Sequence, residues 1–478
     1  MKTQTWPNTI IVMILAMIIT MSPQALAAWN WYAEGLNDTV KYNDAYWSRP
    51  HNTFENSKFS SLGDALNKGY RAIELDVFPK PGYETIYVSH SYTNPKSNKC
   101  SGSKEFIDCL KDIKVWSDSN PNHDVITLQL DMKDFVISPM WNDRAHRLMV
   151  SNIESVIGSK LYKPKNLKSY TGYASLREGV KNTGWPELGQ LRGKIIVFGL
   201  AGPIGSKNQT QSRMIDTVGG DNMPLFICPE ATAPEHFSAN NYANGFSGGS
   251  YSHNNKWVIC GNTSDGKFWA TLAAEASKNN QLMAIWSGDE NAFNPYDKMM
   301  QAVGWGATMI SRETSSTHGN KIPLNGKRNS MPTHFMIQNV KSNLCVDVSG
   351  AGTSNGTSIV QWPCGGGGYK HQVFLYSDEF QLRALHHPSY CLDPEGKSVG
   401  NKRVLLWNCG TQKTQKWTLT GDNGGMLLQN SNQNYTMAVA GGSTTAGAEV
   451  LTYQRLGVPD QNWRLIPVES SFIDWRNY

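Results

Sequence analysis

The chain of 478 residues carries 44 Lys and Arg against 39 Asp and Glu, and only 17% of its residues are charged. This length predicts two or three domains. The mild net charge of +5, with no long basic run, gives no reason to expect a nucleic-acid partner. With 43 glycines and 10% aromatic residues, the composition suits a loop-rich secreted protein better than a helical cytosolic one.

The N-terminal segment, residues 1–27, has the features of a secretory signal. Lys2 supplies the positive end, Ile10–Ile19 is an unbroken apolar run, and Ala25–Ala27 fits a small-x-small cleavage site. A membrane anchor is the alternative, but the run is shorter than the roughly 20 apolar residues that cross a bilayer. We therefore expect secretion, to the extracellular space or the periplasm, with only peripheral membrane contact.

The eight cysteines fit an oxidising compartment. They fall into neighbouring pairs, which favours four disulfides: Cys100 with Cys109, Cys228 with Cys260, Cys345 with Cys364, and Cys391 with Cys409. Metal thiolates are the alternative interpretation, but the chain has no Cys-x-x-Cys pair to favour them.

From Phe59 to Arg312, short apolar runs alternate with longer amphipathic runs. The predicted helices are Phe59–Lys68, Trp141–Ile157, Tyr173–Asn182, Lys267–Lys278 and Asn294–Val303. The predicted strands are one that ends at His51, then Ala72–Val77, Thr85–Ser89, Val125–Leu130, Lys194–Leu200, Pro224–Cys228, Leu282–Ser287 and Ala307–Ser311. Eight strands alternating with helices favour an α/β region folded as a (β/α)8 barrel of the TIM type. An open doubly wound sheet is the alternative, although no Gly-x-Gly-x-x-Gly follows an early strand.

Four successive predicted strands carry polar residues at or near their ends. His51 ends the first strand, and Glu74 and Asp76, two residues apart on the second, face the same way. His90 and Asp131 follow the next two strands. Because chemistry in such barrels is located at the C-terminal ends of the strands, barrel closure would gather these residues at one mouth.

These residue types point to metal-assisted acid–base chemistry. Two carboxylates on one face of an apolar strand repel each other, and a bound cation removes the cost of burying them. With Asn52 beside His51 the set is rich in oxygen, which suits Ca²⁺, or alternatively Mg²⁺, better than zinc. Two imidazoles that titrate near neutrality could move protons while the metal neutralises a phosphoryl oxygen, which suits cleavage of a phosphodiester. The alternative is one salt-bridged and one solvated carboxylate, with structural or surface histidines.

As a set, these motifs resemble the calcium-dependent phosphatidylinositol-specific phospholipase C family. The segments that carry the resemblance are His51–Thr53, Glu74–Phe78, Val88–His90, Val125–Asp134 and Trp185–Lys194.

The resemblance implies a calcium site formed by four residues: Asn52, Glu74, Asp76 and Asp131. It implies that His51 and His90 are the acid–base pair. The inositol 2-hydroxyl would attack phosphorus, giving diacylglycerol and a cyclic phosphate that could then be hydrolysed. Asp131 stands where the family often has Glu, and Lys133 is either a contact to the substrate phosphate or a solvated surface lysine.

After Arg312 the sequence changes character. Residues 314–331 are polar and are interpreted as a linker. From Pro332 a pattern recurs three times with a period of about 44 residues. The repeats begin at Leu344–Asp347, Tyr390–Asp393 and Thr436–Val439. Three units that are each too small to bury a core imply a threefold all-β domain. We therefore predict a barrel domain at 28–313, an all-β domain at 332–469, and a tail at 470–478 of unknown role.

The repeats resemble a ricin-type β-trefoil lectin, whose motif is Gln-x-Trp. The resemblance implies two carbohydrate sites, formed by Asp347, Trp362 and Gln372 in the first repeat and by Asp393, Trp407 and Gln415 in the second. In such a site an aromatic ring stacks on the sugar and a carboxylate binds its hydroxyls.

The repeats also depart from the family pattern. His371 stands where Asn is usual, Phe374 replaces the motif Trp, and Thr414 stands in the Asn position of the second repeat. Ala438 replaces the Asp of the third repeat, so no sugar site is expected there. Trp417 and Trp463 are expected only to build the core, which is also the alternative interpretation of Trp362 and Trp407.

Together these features predict a secreted, calcium-dependent phosphodiesterase that cleaves phosphatidylinositol-like lipids and is directed to glycans by its trefoil. One alternative is a glycerophosphodiester phosphodiesterase, a family with the same two-histidine layout that usually has Arg at the position of Asn52. The other is a lectin with an inactive barrel. The sequence leaves the oligomeric state open, and a monomer is assumed.

Overall fold

The structure is a computed structural model, and it describes residues 36–134, 140–202, 204, 210–233, 235–238, 256–263, 269–285, 302, 306–312, 324–328, 334–365, 369–377, 380–398, 400–422, 425–430 and 435–468. The predicted signal segment, the predicted tail and nearly all of the predicted helix Asn294–Val303 lie outside the described residues.

The first region is a barrel of eight parallel strands, as the sequence predicts. Its strands and their two antiparallel neighbours are β1 (Ala45–Pro50), β2 (Ala72–Pro79), β3 (Ile86–Val88), β4 (Ile126–Met132), β5 (Ile195–Ala201), β6 (Phe226–Pro229), β7 (Cys260–Thr263), β8 (Leu282–Ile285), β9 (Met309–Arg312) and β10 (Asn325–Lys327). Parallel ladders join β2, β4, β5 and β6 in one series and β7, β8, β9 and β1 in another. Isolated parallel bridges, Ile227 to Val258 and Glu230 to Asn262, connect β6 with β7.

Helices alternate with these strands and bury one face against them. They are α1 (Leu62–Asn67), α2 (Phe106–Ser119), α3 (Asp143–Ile157), α4 (Pro164–Thr171), α5 (Leu176–Thr183), α6 (Thr210–Val218), α7 (Glu235–Ser238) and α8 (Trp269–Lys278). Ser61, Asn142 and Ser175 cap α1, α3 and α5, because each side chain accepts a hydrogen bond from a backbone N–H of the first turn. Helices α2, α4, α6 and α7 are absent from the sequence prediction. Within the described part of the chain, every helix is too short or too polar to cross a membrane.

One predicted barrel strand is assigned wrongly. The predicted strand Thr85–Ser89 corresponds to β3, which pairs antiparallel with β2 and lies outside the parallel barrel. The missing barrel strand is β7, whose four residues include Gly and Asn, both poor strand formers. His90 therefore follows a hairpin strand, and the expectation that four consecutive barrel strands carry the site residues is corrected.

Four disulfides join the neighbouring cysteine pairs that the spacing favours: Cys100–Cys109, Cys228–Cys260, Cys345–Cys364 and Cys391–Cys409. Cys228 lies on β6 and Cys260 on β7. The disulfide Cys228–Cys260 therefore links two neighbouring strands that are otherwise joined by isolated bridges and not by a continuous ladder.

The segment interpreted as a linker contains β10, which pairs antiparallel with β1. Arg328 follows it, and its guanidinium donates to four backbone carbonyls: Gly306 (2.6 Å), Gln281 (2.8 Å), Asn43 (3.2 Å) and Ala273 (3.4 Å). Three of these carbonyls, of Asn43, Gln281 and Gly306, lie shortly before β1, β8 and β9, so Arg328 ties the N-terminal ends of these strands together. At least this part of the predicted linker belongs to the barrel.

The second region is all-β and threefold, as predicted. Its strands are β11 (His334–Asn339), β12 (Cys345–Val348), β13 (Thr357–Trp362), β14 (Val373–Tyr376), β15 (Leu382–Ala384), β16 (Tyr390–Pro394), β17 (Lys402–Asn408), β18 (Trp417–Asp422), β19 (Gly425–Asn430), β20 (Tyr435–Val439), β21 (Val450–Gln454) and β22 (Trp463–Pro467). Each repeat contributes four strands and contains one central antiparallel hairpin. The indoles of Trp417 and Trp463 are fully buried, which agrees with their predicted role in the core.

We expect Arg328→Met to lower the free energy of unfolding of the barrel by about 3 kcal/mol, because four backbone carbonyls lose a charged donor. Denaturant unfolding followed by tryptophan fluorescence measures the change. Arg147→Met is the matched control, since the Arg147 side chain is 65% exposed. Equal stability of the two variants would contradict the role of Arg328.

Candidate active site

The turn after β1 locks that strand to β2. Asn52 has a φ of 47°, a left-handed conformation that Asn tolerates better than most residues. The turn directs the backbone N–H of Asn52 to Glu74 Oε2 at 2.9 Å. Thr53 Oγ1 accepts a hydrogen bond from the backbone N–H of Glu74 at 3.1 Å. The local sequence thus places His51 and Asn52 in the same cavity as the acidic residues of β2.

The parallel register of β2 and β4 sets the acidic residues side by side. Asp76 pairs with Asp131, and Glu74 pairs with Gln129. Glu74 and Asp76 are only 3% and 1% exposed. One carboxylate oxygen from each of Glu74, Asp76 and Asp131 lies within 4.8 Å of the other two. The strand alternation predicted from the sequence therefore yields a compact carboxylate cluster.

His90 reaches this cluster from the loop after β3. The backbone N–H of Ser89 donates to the carbonyl oxygen of Asp76 at 3.1 Å, and His90 Nδ1 lies 2.9 Å from Asp76 Oδ2. The hydrogen bond to Asp76 raises the pKa of His90 above its ordinary value, against the opposing effect of burial. Since the carboxylate accepts from Nδ1–H, Nε2 is the nitrogen that takes up and releases the proton.

Lys133 lies inside the site, where only 24% of its side chain is exposed. Its Nζ is 2.6 Å from Asp131 Oδ2 and 3.4 Å from Asp76 Oδ2. Burial favours the neutral amine, but the charges of Asp131 and Asp76 outweigh it and raise the pKa of Lys133. Lys133 is therefore a charged member of the cluster.

Arg49 is a member of the site that the sequence analysis missed. Its side chain is fully buried and forms an ion pair with Glu74. Burial acts to raise the pKa of Glu74, but the charges of Arg49 and His51, with hydrogen bonds from Arg49 and Asn52, hold it below its ordinary value. The signal in the sequence was an arginine in an otherwise apolar strand, two residues before His51.

The residues proposed for the barrel site line one cavity of about 200 Å³: His51, Asn52, Glu74, Asp76, His90, Asp131 and Lys133. The structure thus brings together every residue that the sequence analysis assigned to the barrel chemistry.

The chemistry of this cavity fits a hard cation. Asp76 Oδ1 is buried and has no hydrogen-bond partner among the described residues. Burial raises the pKa of Asp76, an effect that His90 and Lys133 partly offset. A cation at Oδ1 would compensate a buried carboxylate oxygen that is otherwise unpaired. Asn52 turns its side-chain amide N–H toward Glu55 at 3.3 Å, so its oxygen is the atom that a cation could use. Carboxylate and amide oxygens are the ligands that Ca²⁺ and Mg²⁺ prefer.

The first two trefoil repeats build matching carboxylate sites. Gln372 Nε2 donates to Asp347 Oδ2 at 2.7 Å, and Gln415 Nε2 donates to Asp393 Oδ2 at 2.9 Å. In the first repeat, His371 Nδ1 also lies 3.1 Å from Asp347 Oδ1.

The two aromatic platforms differ from the core tryptophans. Trp362 is 49% exposed and Trp407 is partly exposed, whereas Trp417 and Trp463 are buried. In the third repeat Ala438 is buried at the position of the missing Asp. The aromatic rings of the first two repeats are therefore accessible to a ligand.

Two family models match the chain. The model of calcium-dependent phosphoinositide phospholipase C matches residues 86–211, and that of the ricin-type β-trefoil lectin domain matches residues 333–463. The chain combines a phospholipase C-type segment with a ricin-type lectin domain. Both resemblances drawn from the sequence are confirmed. The phospholipase match includes His90, Asp131 and Lys133 and begins after Asp76.

Solved structures of both kinds resemble the chain. A calcium-dependent phosphoinositol-specific phospholipase C of Pseudomonas sp., in complex with myoinositol, is 21% identical over 57% of this chain and 91% of its own, with a TM-score of 0.47. A Ca²⁺-dependent phosphatidylinositol-specific phospholipase C of Streptomyces antibioticus is 18% identical over 61% of this chain and 100% of its own, with a TM-score of 0.49. The C-half of an earthworm R-type lectin with bound GalNAc is 15% identical over 28% of this chain and 98% of its own, with a TM-score of 0.25. No curated protein matches the sequence significantly.

We expect His90 to titrate above the ordinary histidine pKa of about 6.5 in calcium-free protein. Because its pKa is raised in the folded state, the stability that it contributes is full below about pH 6.5 and is lost as the pH rises through the higher folded value. Asp76→Asn should move the pKa of His90 back toward the ordinary value.

NMR titration of ¹³C-labelled imidazoles measures this shift, and His90→Gln identifies the resonance. A His90 signal that titrates at or below the ordinary value would show that Asp76 does not hold the ring.

Proposed function

We propose that the barrel is a calcium-dependent phosphodiesterase that cleaves phosphatidylinositol-like lipids. The observation that carries this proposal is one cavity lined by two histidines, His51 and His90, and by a cluster of three carboxylates, of which one buried oxygen has no hydrogen-bond partner among the described residues. A hard cation and two proton carriers at one point are the requirements for breaking a phosphodiester bond.

In this proposal four residues hold the metal: Asn52, Glu74, Asp76 and Asp131. Calcium bound there would supply positive charge for the phosphoryl oxygens, on which negative charge develops during the reaction. Arg49 keeps Glu74 ionised and in place through their buried ion pair. Lys133 lies at the same rim and contacts the substrate phosphate.

The histidines carry the protons. Asp76 accepts from Nδ1–H of His90, so Nε2 is the proton-donating atom, and this hydrogen bond raises the pKa of His90 above its ordinary value. His90 thus suits protonation of the diacylglycerol leaving oxygen. His51 lines the same cavity, where its charge acts on Glu74, and serves as base for the inositol 2-hydroxyl or as a contact to the phosphoryl oxygens. Attack by that hydroxyl gives a cyclic inositol phosphate, which water can then open.

The trefoil supplies the second binding activity. We propose that Asp347, Trp362 and Gln372 form one glycan site, and that Asp393, Trp407 and Gln415 form another. Binding to a glycosylated surface would raise the local concentration of the barrel at its lipid substrate. The four disulfides support an oxidising, extracytoplasmic location, in line with the proposed signal segment.

We expect the wild-type protein to cleave phosphatidylinositol with calcium and to lose this activity in a chelator. His90→Ala should lower kcat about 1,000-fold through loss of the general acid. His387→Ala, in the trefoil, is the matched control and should retain activity.

Phosphorus NMR of the product separates the substrate classes, because a cyclic inositol phosphate supports the proposal whereas glycerophosphate indicates a glycerophosphodiesterase. Absence of calcium-dependent turnover by the wild type would leave the protein as a lectin with an inactive barrel.

For the trefoil, we expect Trp362→Ala and Trp407→Ala each to weaken glycan binding on the order of tenfold, through loss of a stacking surface. The double variant should lose binding. A glycan array identifies the sugar for the wild type, and calorimetry with that sugar compares the variants. Tyr453→Ala, an exposed aromatic of the third repeat, is the control, and a loss there equal to that of Trp362→Ala would contradict the assignment.

A further inference from the structure

The charges in the barrel cavity are nearly balanced by the chain itself. Three carboxylates, Glu74, Asp76 and Asp131, face two cationic side chains, Arg49 and Lys133. With neutral histidines, the cluster therefore carries one net negative charge before any metal binds.

The two cationic side chains differ in how freely they can move. Arg49 is fully buried and paired with Glu74. If its guanidinium moved away, the buried charge of Glu74 would lose its partner, which is costly. Lys133 is partly exposed, and among the described residues its Nζ is held by the side-chain oxygens of Asp131 and Asp76. Its flexible four-carbon chain allows the ammonium to move by several ångströms.

The ammonium of Lys133 and a divalent cation would use the same two carboxylates. Asp131 and Asp76 belong to the group whose oxygens lie within 4.8 Å of one another. Ca²⁺ requires oxygen ligands at about 2.3–2.6 Å. An ammonium 2.6 Å from Asp131 Oδ2 would compete for that oxygen and repel the metal.

We propose that Lys133 is the exchangeable cation of the site: its ammonium leaves Asp131 when calcium binds, and in the released position it binds an anionic oxygen of the phosphodiester. This inference rests on the proposed function, and it adds a coupling between metal and substrate through one side chain.

The charge of the cavity indicates which class of substrate would be coupled to calcium binding through Lys133. A divalent metal adds two positive charges to a cavity whose own charges are nearly balanced, so the metal-loaded site favours an anion such as a phosphodiester monoanion. Because coupling is reciprocal, an anion that holds Lys133 away from Asp131 must also tighten calcium binding.

Isothermal titration calorimetry of the full chain with calcium tests the exchange. We expect Lys133→Met to bind calcium on the order of tenfold more tightly than the wild type, because the competing ammonium is gone. Dimethyl phosphate, a phosphodiester monoanion, should tighten calcium binding by the wild type several-fold. It should tighten calcium binding by Lys133→Met less, because only the direct attraction between metal and anion remains there. Uncharged trimethyl phosphate is the matched probe and should have no effect on either protein.

The predicted direction separates this role from a structural one. If Lys133 only held the carboxylates in place, its removal would weaken calcium binding. Lys133→Gln, which keeps a polar side chain, guards against misfolding of the Met variant. Lys111→Met, which removes a lysine paired with Asp108 at 3.2 Å on α2, is the control and should bind calcium as the wild type does.

Two failures can be told apart. If the wild type binds calcium and both Lys133→Met and Lys133→Gln bind it equally well or more weakly, the exchange alone is overturned. Absence of calcium binding by the wild type overturns the metal site of the proposed function and the exchange with it.

Discussion

Mutual repulsion among three carboxylates is the constraint on which the barrel site depends. Their oxygens lie within 4.8 Å of one another, where two like charges repel by about 3 kcal/mol at an effective dielectric constant near 20. Neighbouring parallel strands impose this arrangement, because their register sets Asp76 beside Asp131. The surrounding residues of the cavity act to offset this cost: Arg49 at Glu74, His90 and Lys133 at Asp76, and the backbone N–H of Asn52 at Glu74.

The two carboxylate oxygens of Asp76 have different surroundings. Oδ2 accepts from His90, while Oδ1 stays buried and unpaired among the described residues. One carboxylate can therefore orient a proton carrier and offer a ligand to a cation at the same time. This arrangement couples the two halves of the proposed chemistry, since a change at Asp76 would affect the pKa of His90 and the metal together.

Sequence periodicity was sufficient to predict most barrel strands, because their apolar runs and polar ends are local features of the sequence. It failed for the direction of β3, which pairs antiparallel with β2, and it missed β7, a strand of only four residues. Both features depend on tertiary pairing. The residues that line the cavity could be predicted because each of them, His51, Glu74, Asp76, His90 and Asp131, occupies a recognisable position near a run of apolar residues. Arg49 was missed because only the fold shows that its guanidinium points at Glu74 and is shielded from water.

The third trefoil repeat clarifies what the glutamine of the motif does. Gln372 and Gln415 are fully buried, and each accepts from a backbone N–H, of Gly365 and Gly410, while donating to its Asp. In the third repeat, where Ala438 replaces the Asp, Gln461 is still buried, accepts from the N–H of Leu456 and donates to the carbonyl of Gln454. The glutamine therefore holds the loop of the repeat whether or not a carboxylate is present. In the first two repeats it fixes the orientation of Asp347 and Asp393. In the proposed sugar sites it would therefore act indirectly, and the carboxylate and the exposed aromatic ring would make the contacts to the sugar.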